Sequence, residues 1–181
     1  MTPIKIALAA AALAAFAAPV AAEPVFDAFT AVCAAGHADY PAVVEAAENG
    51  GWHATTVTGD ATMPGVTISD KIALSRKLDG APLTLLAWRG TKGAIKINAC
   101  TMRVGKADFP QLQAAARDWL GFVPQDVQPK KVVARFTETP TGHHALIAAE
   151  YEGAAAGDGM EILTVSTDAH GAVLDVLKIK K

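Results

Sequence analysis

The sequence predicts an α+β fold, in which an N-terminal helical hairpin is followed by an antiparallel three-stranded meander, one helix and then further antiparallel strands. Two observations predict this class. Apolar residues recur at helical spacing in three segments, two before residue 52 and one after residue 107. The remaining segments hold short apolar or alternating runs separated by turn residues, as antiparallel strands do. The order of elements requires no parallel βαβ unit.

The first 22 residues have the features of a secretory signal peptide. Lys5 precedes an apolar run over 6–18, which is shorter than the roughly 20 residues that span a bilayer. Pro19 ends the run, and Val20-Ala21-Ala22 supplies small residues for a signal peptidase. We therefore expect cleavage before Glu23. The alternative, an uncleaved anchor or a buried alanine-rich helix, is disfavoured by the length of the run.

Two helices are predicted to form the hairpin. Apolar residues at helical spacing predict the first helix over 25–35, with its end at Gly36. Asp39-Tyr40-Pro41 combines a capping residue with a proline in the first turn, and Asn49-Gly50-Gly51 ends the second helix. Trp52 follows directly, and we interpret it as a core residue over the hairpin rather than a ligand platform.

Three strands are predicted for the first meander, over 72–78, 83–89 and 94–103. Asp79-Gly80 is the first turn and residues 90–93 form the second. The preceding residues, 54–69, are expected to form an irregular crossing loop.

The apolar residues of the third predicted strand do not all lie on one face of the sheet. Ile95 and Ile97 share a face that Cys100 does not, because side chains alternate along a strand. The sequence leaves two explanations: a bulge near Asn98, or a sheet that is covered on both faces.

A third helix is predicted between Asp108 as the capping residue and Gly121 as the stop. Four strands are then suggested, and the last two are expected to form a hairpin through the turn-rich residues 167–171. These strands span 131–137, 145–152, 160–167 and 172–179.

The composition excludes two broad classes of protein. The chain has 181 residues with 16 basic and 18 acidic side chains, and its net charge of −2 is not that of a globally basic nucleic-acid-binding protein. A hydrophobic fraction of 51% excludes a disordered polyelectrolyte. No phosphate loop, dinucleotide fingerprint or nucleophile elbow occurs in the sequence. We therefore expect no cofactor and no nucleic-acid partner.

Cys33 and Cys100 are the two cysteines of the chain. An exported protein with an even number of cysteines most simply pairs them, so a disulfide is expected. The alternative is a reactive thiol. It is disfavoured because no Cys-x-x-Cys occurs and neither cysteine has a neighbouring His or Lys that would stabilise a thiolate.

Histidines and paired acids are the residues that suggest catalysis. His143 and His144 follow Pro140-Thr141-Gly142, a turn that would have to make them converge before they could hold a metal or form a hydrolase site with a nearby acid. Glu150 and Glu152 would share one face of the strand predicted over 145–152. Such alternating acids are also common on solvated strands, and we expect no metal site.

The charges are strongly segregated along the chain. Residues 23–70 carry seven acids and no Lys or Arg, whereas residues 71–106 carry eight basic residues and Asp79 as the single acid. One reading is that these charges compensate within the fold. The other is a basic surface for an anionic envelope component or another envelope protein, with an aromatic contact. The candidate ligand-binding residues on this second reading are Arg76, Trp88, Arg89, Lys96 and Arg103.

An early helix with Cys33, the Gly51-Trp52 step, a strand with Cys100 and a helix ending near Trp119 together resemble small exported single-disulfide bacterial proteins of uncharacterised function. The resemblance covers about residues 26–121 and implies export and one compact domain, without an activity. We expect a signal peptide over 1–22 and a single globular domain over 23–181, soluble in the periplasm and without a transmembrane anchor. The expected function is a non-catalytic binding or accessory module, and the alternative is a small periplasmic hydrolase with a site around His143 and His144.

Overall fold

A computed structural model describes residues 21–56 and 63–181. Most of the predicted signal peptide and part of the predicted crossing loop lie outside the described residues. The α-helices of the described chain are α1 (Ala22–Phe29), α2 (Tyr40–Asn49), α3 (Phe109–Leu120) and α4 (Tyr151–Ala156). A π-helix over Thr30–Ala34 continues α1, and a short 3₁₀ helix over Ala148–Glu150 precedes α4. The strands are β1 (His53–Ala54), β2 (Thr67–Leu78), β3 (Ala81–Lys92), β4 (Ile95–Val104), β5 (Asp126–Gln128), β6 (Lys131–Thr139), β7 (Gly142–Ala145), β8 (Met160–Asp168) and β9 (Gly171–Lys180).

All the described strands join one antiparallel sheet, and the predicted α+β class is confirmed. The order along the sheet is β1-β2-β3-β4-β9-β8-β6-β5, and β7 also pairs with β6. The last strand, β9, lies between β4 and β8 and therefore joins the first meander to the second. Residues that are far apart in the chain meet across these central strands.

One face of the sheet, which we call the helix face, carries the main core. Leu85, Met102, Leu174 and Phe136 are buried there together with the apolar sides of α1, α2 and α3. The opposite face carries a second, smaller cluster. Its buried members are Leu86, Trp88, Ile97 and Ala99.

The two clusters explain why the apolar residues of β4 lie on both faces of the sheet. The register between β3 and β4 runs without a bulge from Lys92 and Ile95 to Leu83 and Val104. Cys100 therefore points to the helix face and Ile97 to the opposite face, as simple alternation requires. Of the two explanations, a sheet with apolar residues on both faces is the one found.

The predicted helices are present, and local capping explains the ends of α3. Asp39 precedes α2 as expected, but its side chain makes no capping hydrogen bond. The Asp108 carboxylate accepts a hydrogen bond from the backbone N–H of Gln111 at 3.1 Å, and Gly121 ends α3 with a φ of 74°. Trp52 is buried after α2 and belongs to the main core, which confirms its assignment.

Three sequence-based boundaries are wrong. The strand predicted over 72–78 begins at Thr67, so residues 67–69 do not belong to the predicted crossing loop. The strand predicted over 145–152 is instead the end of β7 followed by helix, because the Glu150 carboxylate accepts the N–H of Ile147 at 2.8 Å and starts a helical turn in an alanine-rich segment. Glu150 and Glu152 therefore do not form a carboxylate pair on a strand. The turn predicted over 90–93 starts too early, since β3 continues to Lys92.

The expected disulfide is present. Cys33 in the π-helix and Cys100 in β4 are bonded, with an S–S distance of 2.05 Å and a Cα–Cα distance of 5.4 Å. Both residues are fully buried, so the bond ties the N-terminal helices to the centre of the sheet. Among the described residues, no helix combines the length and the apolar character needed to cross a membrane.

Candidate functional site

The basic residues proposed as a ligand surface are divided between the two faces of the sheet. Alternation and register place Arg76, Arg89 and Lys96 on the helix face, and Trp88 and Arg103 on the opposite face. Trp88 is only 3% exposed and packs in the second cluster, so it does not stand out as an aromatic contact. The five residues do not form one continuous surface.

Three of these cations have partners within the fold. Arg76 donates to the carbonyl of Gly50 at 3.0 Å, and its guanidinium lies 5.6 Å from the centre of the Trp52 ring. Arg89 forms an ion pair with Asp70.

Arg103 lies 3.5 Å from the Asp168 carboxylate. A hydrogen bond from the backbone N–H of His170, with smaller help from Arg103, lowers the pKa of Asp168. Of these contacts, the Arg89–Asp70 ion pair joins the acidic segment 23–70 to the basic segment 71–106, and it supports the reading in which the segregated charges compensate within the fold.

His143 and His144 do not converge on a common site. They are neighbours in β7, so their side chains point to opposite sides. The His143 ring lies 4.1 Å from the Trp119 ring, centre to centre, and the residue is largely buried. His144 faces the Glu150 carboxylate at 3.8 Å. In the part of the chain that the structure describes, no group of three or more His, Cys, Asp or Glu side chains is arranged to hold a metal ion.

A polar cluster around His37 was not anticipated from the sequence. The Nδ1 atom of His37 lies 3.1 Å from the Glu161 carboxylate, and its Nε2 atom lies 3.3 Å from that of Glu138. Lys178 contacts the same Glu161 oxygen at 3.7 Å. Glu161 is 3% exposed, and its burial raises its pKa, while the nearby His37 and Lys178 oppose the rise.

The geometry of the His37 cluster indicates a structural role. His37 and Ala38 both have positive φ angles, of 55° and 54°, so the contacts with Glu138 and Glu161 hold a strained turn against the sheet. A cleft of about 370 Å³ lies beside it. The hydroxyls that line this cleft, those of Thr137 and Thr139, donate to backbone carbonyls and are not positioned as nucleophiles.

A groove on the opposite face of the sheet combines apolar walls with a carboxylate. Its volume is about 320 Å³, and it runs over the central strands β4, β9 and β8. Small side chains on the floor lie between larger ones on the walls, which makes the sheet surface concave. The lining residues are Met63, Trp88, Ala99, Thr101, Thr164, Val173, Asp175 and Leu177.

Asp175 occupies the middle of this groove. The register places it directly between Thr101 of β4 and Thr164 of β8. The Thr101 hydroxyl donates to its carboxylate at 2.6 Å. Burial raises the pKa of Asp175 to about 6, and the hydrogen bond from Thr101 only partly opposes this effect. Among the described residues, no Lys, Arg or His forms an ion pair with this carboxylate.

An acid in an apolar strand was a usable sequence signal for this site. Asp175 interrupts the run from Ala172 to Leu177, where alternation with Leu174 and Val176 places it on the face away from the main core. Thr164 lies on β8, the partner of β9 in the predicted hairpin, whereas Thr101 was not predictable as a neighbour because it is 74 residues away in the chain. A half-buried carboxylate whose pKa is raised by desolvation, in a concavity with apolar walls, is a candidate for a ligand site.

The raised pKa predicts a specific pH dependence of stability. Between about pH 4 and pH 6 the folded protein keeps a proton on Asp175 that the unfolded chain has released, so the stability contributed by this residue falls as the pH rises through 6. The free energy of unfolding of Asp175→Asn, minus that of the wild type, should therefore increase between pH 4 and pH 7.5. The gain is at most about 3 kcal/mol, and partial exposure of the side chain makes it smaller.

Urea unfolding of both proteins at the two pH values measures this gain. Asp118→Asn, which removes an exposed carboxylate of α3, serves as the matched control. If the free energies of unfolding of Asp175→Asn and the wild type differ by the same amount at both pH values, the pKa of Asp175 is not raised in the folded protein.

Comparisons of the chain with protein-family models, with curated proteins and with solved structures found no match.

Proposed function

We propose that this chain is an exported periplasmic protein that acts by binding, without catalysis, and that the groove around Asp175 receives a small ligand. The observation that carries the proposal is a carboxylate without an ionic partner among the described residues, held in an otherwise apolar concavity. Burying such a charge disfavours the folded state unless something compensates it, and a ligand can do so.

Export is supported by two independent features. The N-terminal 22 residues have the charge, apolar run and small residues of a signal peptide. The buried Cys33–Cys100 bond is of the kind that persists in an oxidising compartment such as the periplasm.

Binding is favoured over hydrolysis by the chemistry of the groove. Thr101 is the hydroxyl closest to a base, since it donates to Asp175. Its strand, β4, is paired on both sides, with β3 and with β9, so its backbone N–H groups serve the sheet and are not free to stabilise an oxyanion. In the alternative hydrolase site, His143 lies 3.9 Å from the Glu138 carboxylate and His144 lies 3.8 Å from that of Glu150. The two rings point to opposite sides of β7, and among the described residues no hydroxyl forms a hydrogen bond with either of them, so the site offers no activated nucleophile.

The proposal is tested by filling the groove. Thr164→Leu places a larger side chain on its floor, and Thr84→Leu makes the same change on the same face, outside the groove lining. The protein is recovered from a periplasmic extract and titrated with octylamine, octanol and octanoate in turn. At least one probe should give saturable shifts of the NMR amide signals of Thr101, Asp175 and Leu177. Thr164→Leu should weaken that binding at least tenfold, and Thr84→Leu should not.

Three results would overturn the proposal. Absence of saturable shifts with all three probes would exclude a small-molecule site in the groove, as would unchanged binding by Thr164→Leu. Retention of the protein in the cytoplasm, with an intact mass that includes residues 1–22, would exclude export.

A further inference from the structure

We propose that the ligand of the groove is a small amphiphile with a protonated amino group, which donates hydrogen bonds to the carboxylate of Asp175 while its apolar part lies against Val173 and Leu177. This inference rests on the proposed function and adds the chemical class of the ligand. It depends on three properties of the groove: its free acceptors, its charge and its shape.

The free acceptors are on Asp175. An ionised carboxylate can accept about four hydrogen bonds, and among the described residues Asp175 accepts one, from Thr101. The neighbouring strand residue Thr164 also lines the groove and can accept a hydrogen bond through its hydroxyl oxygen. An ammonium group has three donors and no acceptor, so it matches a site whose open positions are acceptors.

The charge of the groove selects against the other head groups. Among the described residues that line the groove, Asp175 is the charged one, and its charge is negative near neutral pH because its pKa is about 6. A carboxylate or phosphate ligand would meet like charge in a partly dehydrated site. An alcohol would leave the buried charge uncompensated, whereas an ammonium group compensates it.

The shape of the groove limits the apolar part. Trp88, Val173, Leu177 and Met63 supply apolar surface around the two threonines and Asp175. The volume of about 320 Å³ is at the small end of the range for ligand sites, roughly 300–1,000 Å³. A short alkyl or aryl amine fits this volume better than a lipid with two long chains.

The experiment compares octylamine, octanol and octanoate, which share one apolar chain and differ in the head group. Isothermal titration of the wild-type protein at pH 7.5 and low ionic strength should give an affinity for octylamine at least tenfold higher than for octanol, and no measurable binding of octanoate. Asp175→Asn keeps the size of the side chain and removes its charge, so it should reduce octylamine binding to the level of octanol. Asp118→Asn should leave the preference unchanged.

The pH dependence tests the inference in the unmodified protein. At pH 5 only about a tenth of the Asp175 carboxyls are ionised, so octylamine should bind about tenfold more weakly than at pH 7.5, while octanol binding should not change. This measurement keeps the inference falsifiable if Asp175→Asn does not fold.

The possible failures are distinguishable. Equal binding of octylamine and octanol to the wild type, or a preference for octanoate, overturns the amine assignment and leaves the groove as a binding site. A preference for octylamine that persists in Asp175→Asn also overturns it, since the amine is then bound elsewhere. Absence of binding by all three probes overturns the proposed function as well.

Discussion

Replacing Cys33 and Cys100 together by alanine is expected to lower the free energy of unfolding by about 2–5 kcal/mol. The bond joins residues 67 apart in the chain, and the loop-entropy model assigns such a crosslink about 4 kcal/mol. Both sulfur atoms are buried between the π-helix and β4, so lost packing adds to the effect. Alanine is preferred to serine because it introduces no buried hydroxyl.

Urea unfolding of the double variant and of the oxidised wild type measures this difference. Wild-type protein unfolded under reducing conditions is the control, because it loses the crosslink and keeps both cysteine side chains. A difference below about 1 kcal/mol between oxidised and reduced wild type would show that the bond contributes little to stability.

Gly171→Ala is expected to lower the free energy of unfolding by about 3 kcal/mol or more. Gly171 starts β9 with a φ of 135°, a backbone conformation that L side chains rarely adopt. A Cβ atom at this position would overlap the carbonyl oxygens of Gly105 and Val104. These are backbone atoms beside β4, so they can move only by displacing the pairing of β4 with β9.

Gly80→Ala is the matched control for this prediction. Gly80 also has a positive φ, of 82°, but a Cβ atom there would meet no atom within 4 Å. Gly80→Ala should therefore lower the free energy of unfolding only by the penalty for a positive φ, about 1–2 kcal/mol. Denaturant unfolding of both variants gives the comparison. Equal destabilisation by the two substitutions would show that the close approach at Gly171 is relieved without loss of stability.

The elements that could be predicted depend on neighbouring residues. Asp108 and Gly121 mark the ends of α3 because a cap and a left-handed residue act within one turn of the helix. The same reasoning failed after Ala145, where a strand was expected. There the Glu150 carboxylate accepts a hydrogen bond from the N–H of Ile147, and this local contact begins a helix. The alternating sequence pattern had predicted a strand instead.

The candidate site could be predicted only in part, because its residues come from separate strands. Asp175 stands out in the sequence as an acid within an apolar strand, and the predicted hairpin of the last two strands, which is confirmed, identified β8 as its neighbour on one side. The pairing with β4 on the other side was not predictable, because Thr101 and Asp175 are 74 residues apart in the chain. One of the two readings of the charged residues of 71–106 placed them on a common surface. Alternation along β2, β3 and β4 sends Arg89 to the helix face and Arg103 to the opposite face, which only the register reveals.

The sequence by itself determined the fold class, the main helix ends and the pairing of Cys33 with Cys100, because these depend on local periodicity, on caps and on a count of two cysteines. The tertiary structure decided that β9 lies at the centre of the sheet and that Asp175 lies in a groove without a cationic partner among the described residues. The burial of a carboxylate depends on side chains that strand pairing brings together from distant parts of the chain. Its pKa and its capacity to bind a cation therefore become properties of the folded protein.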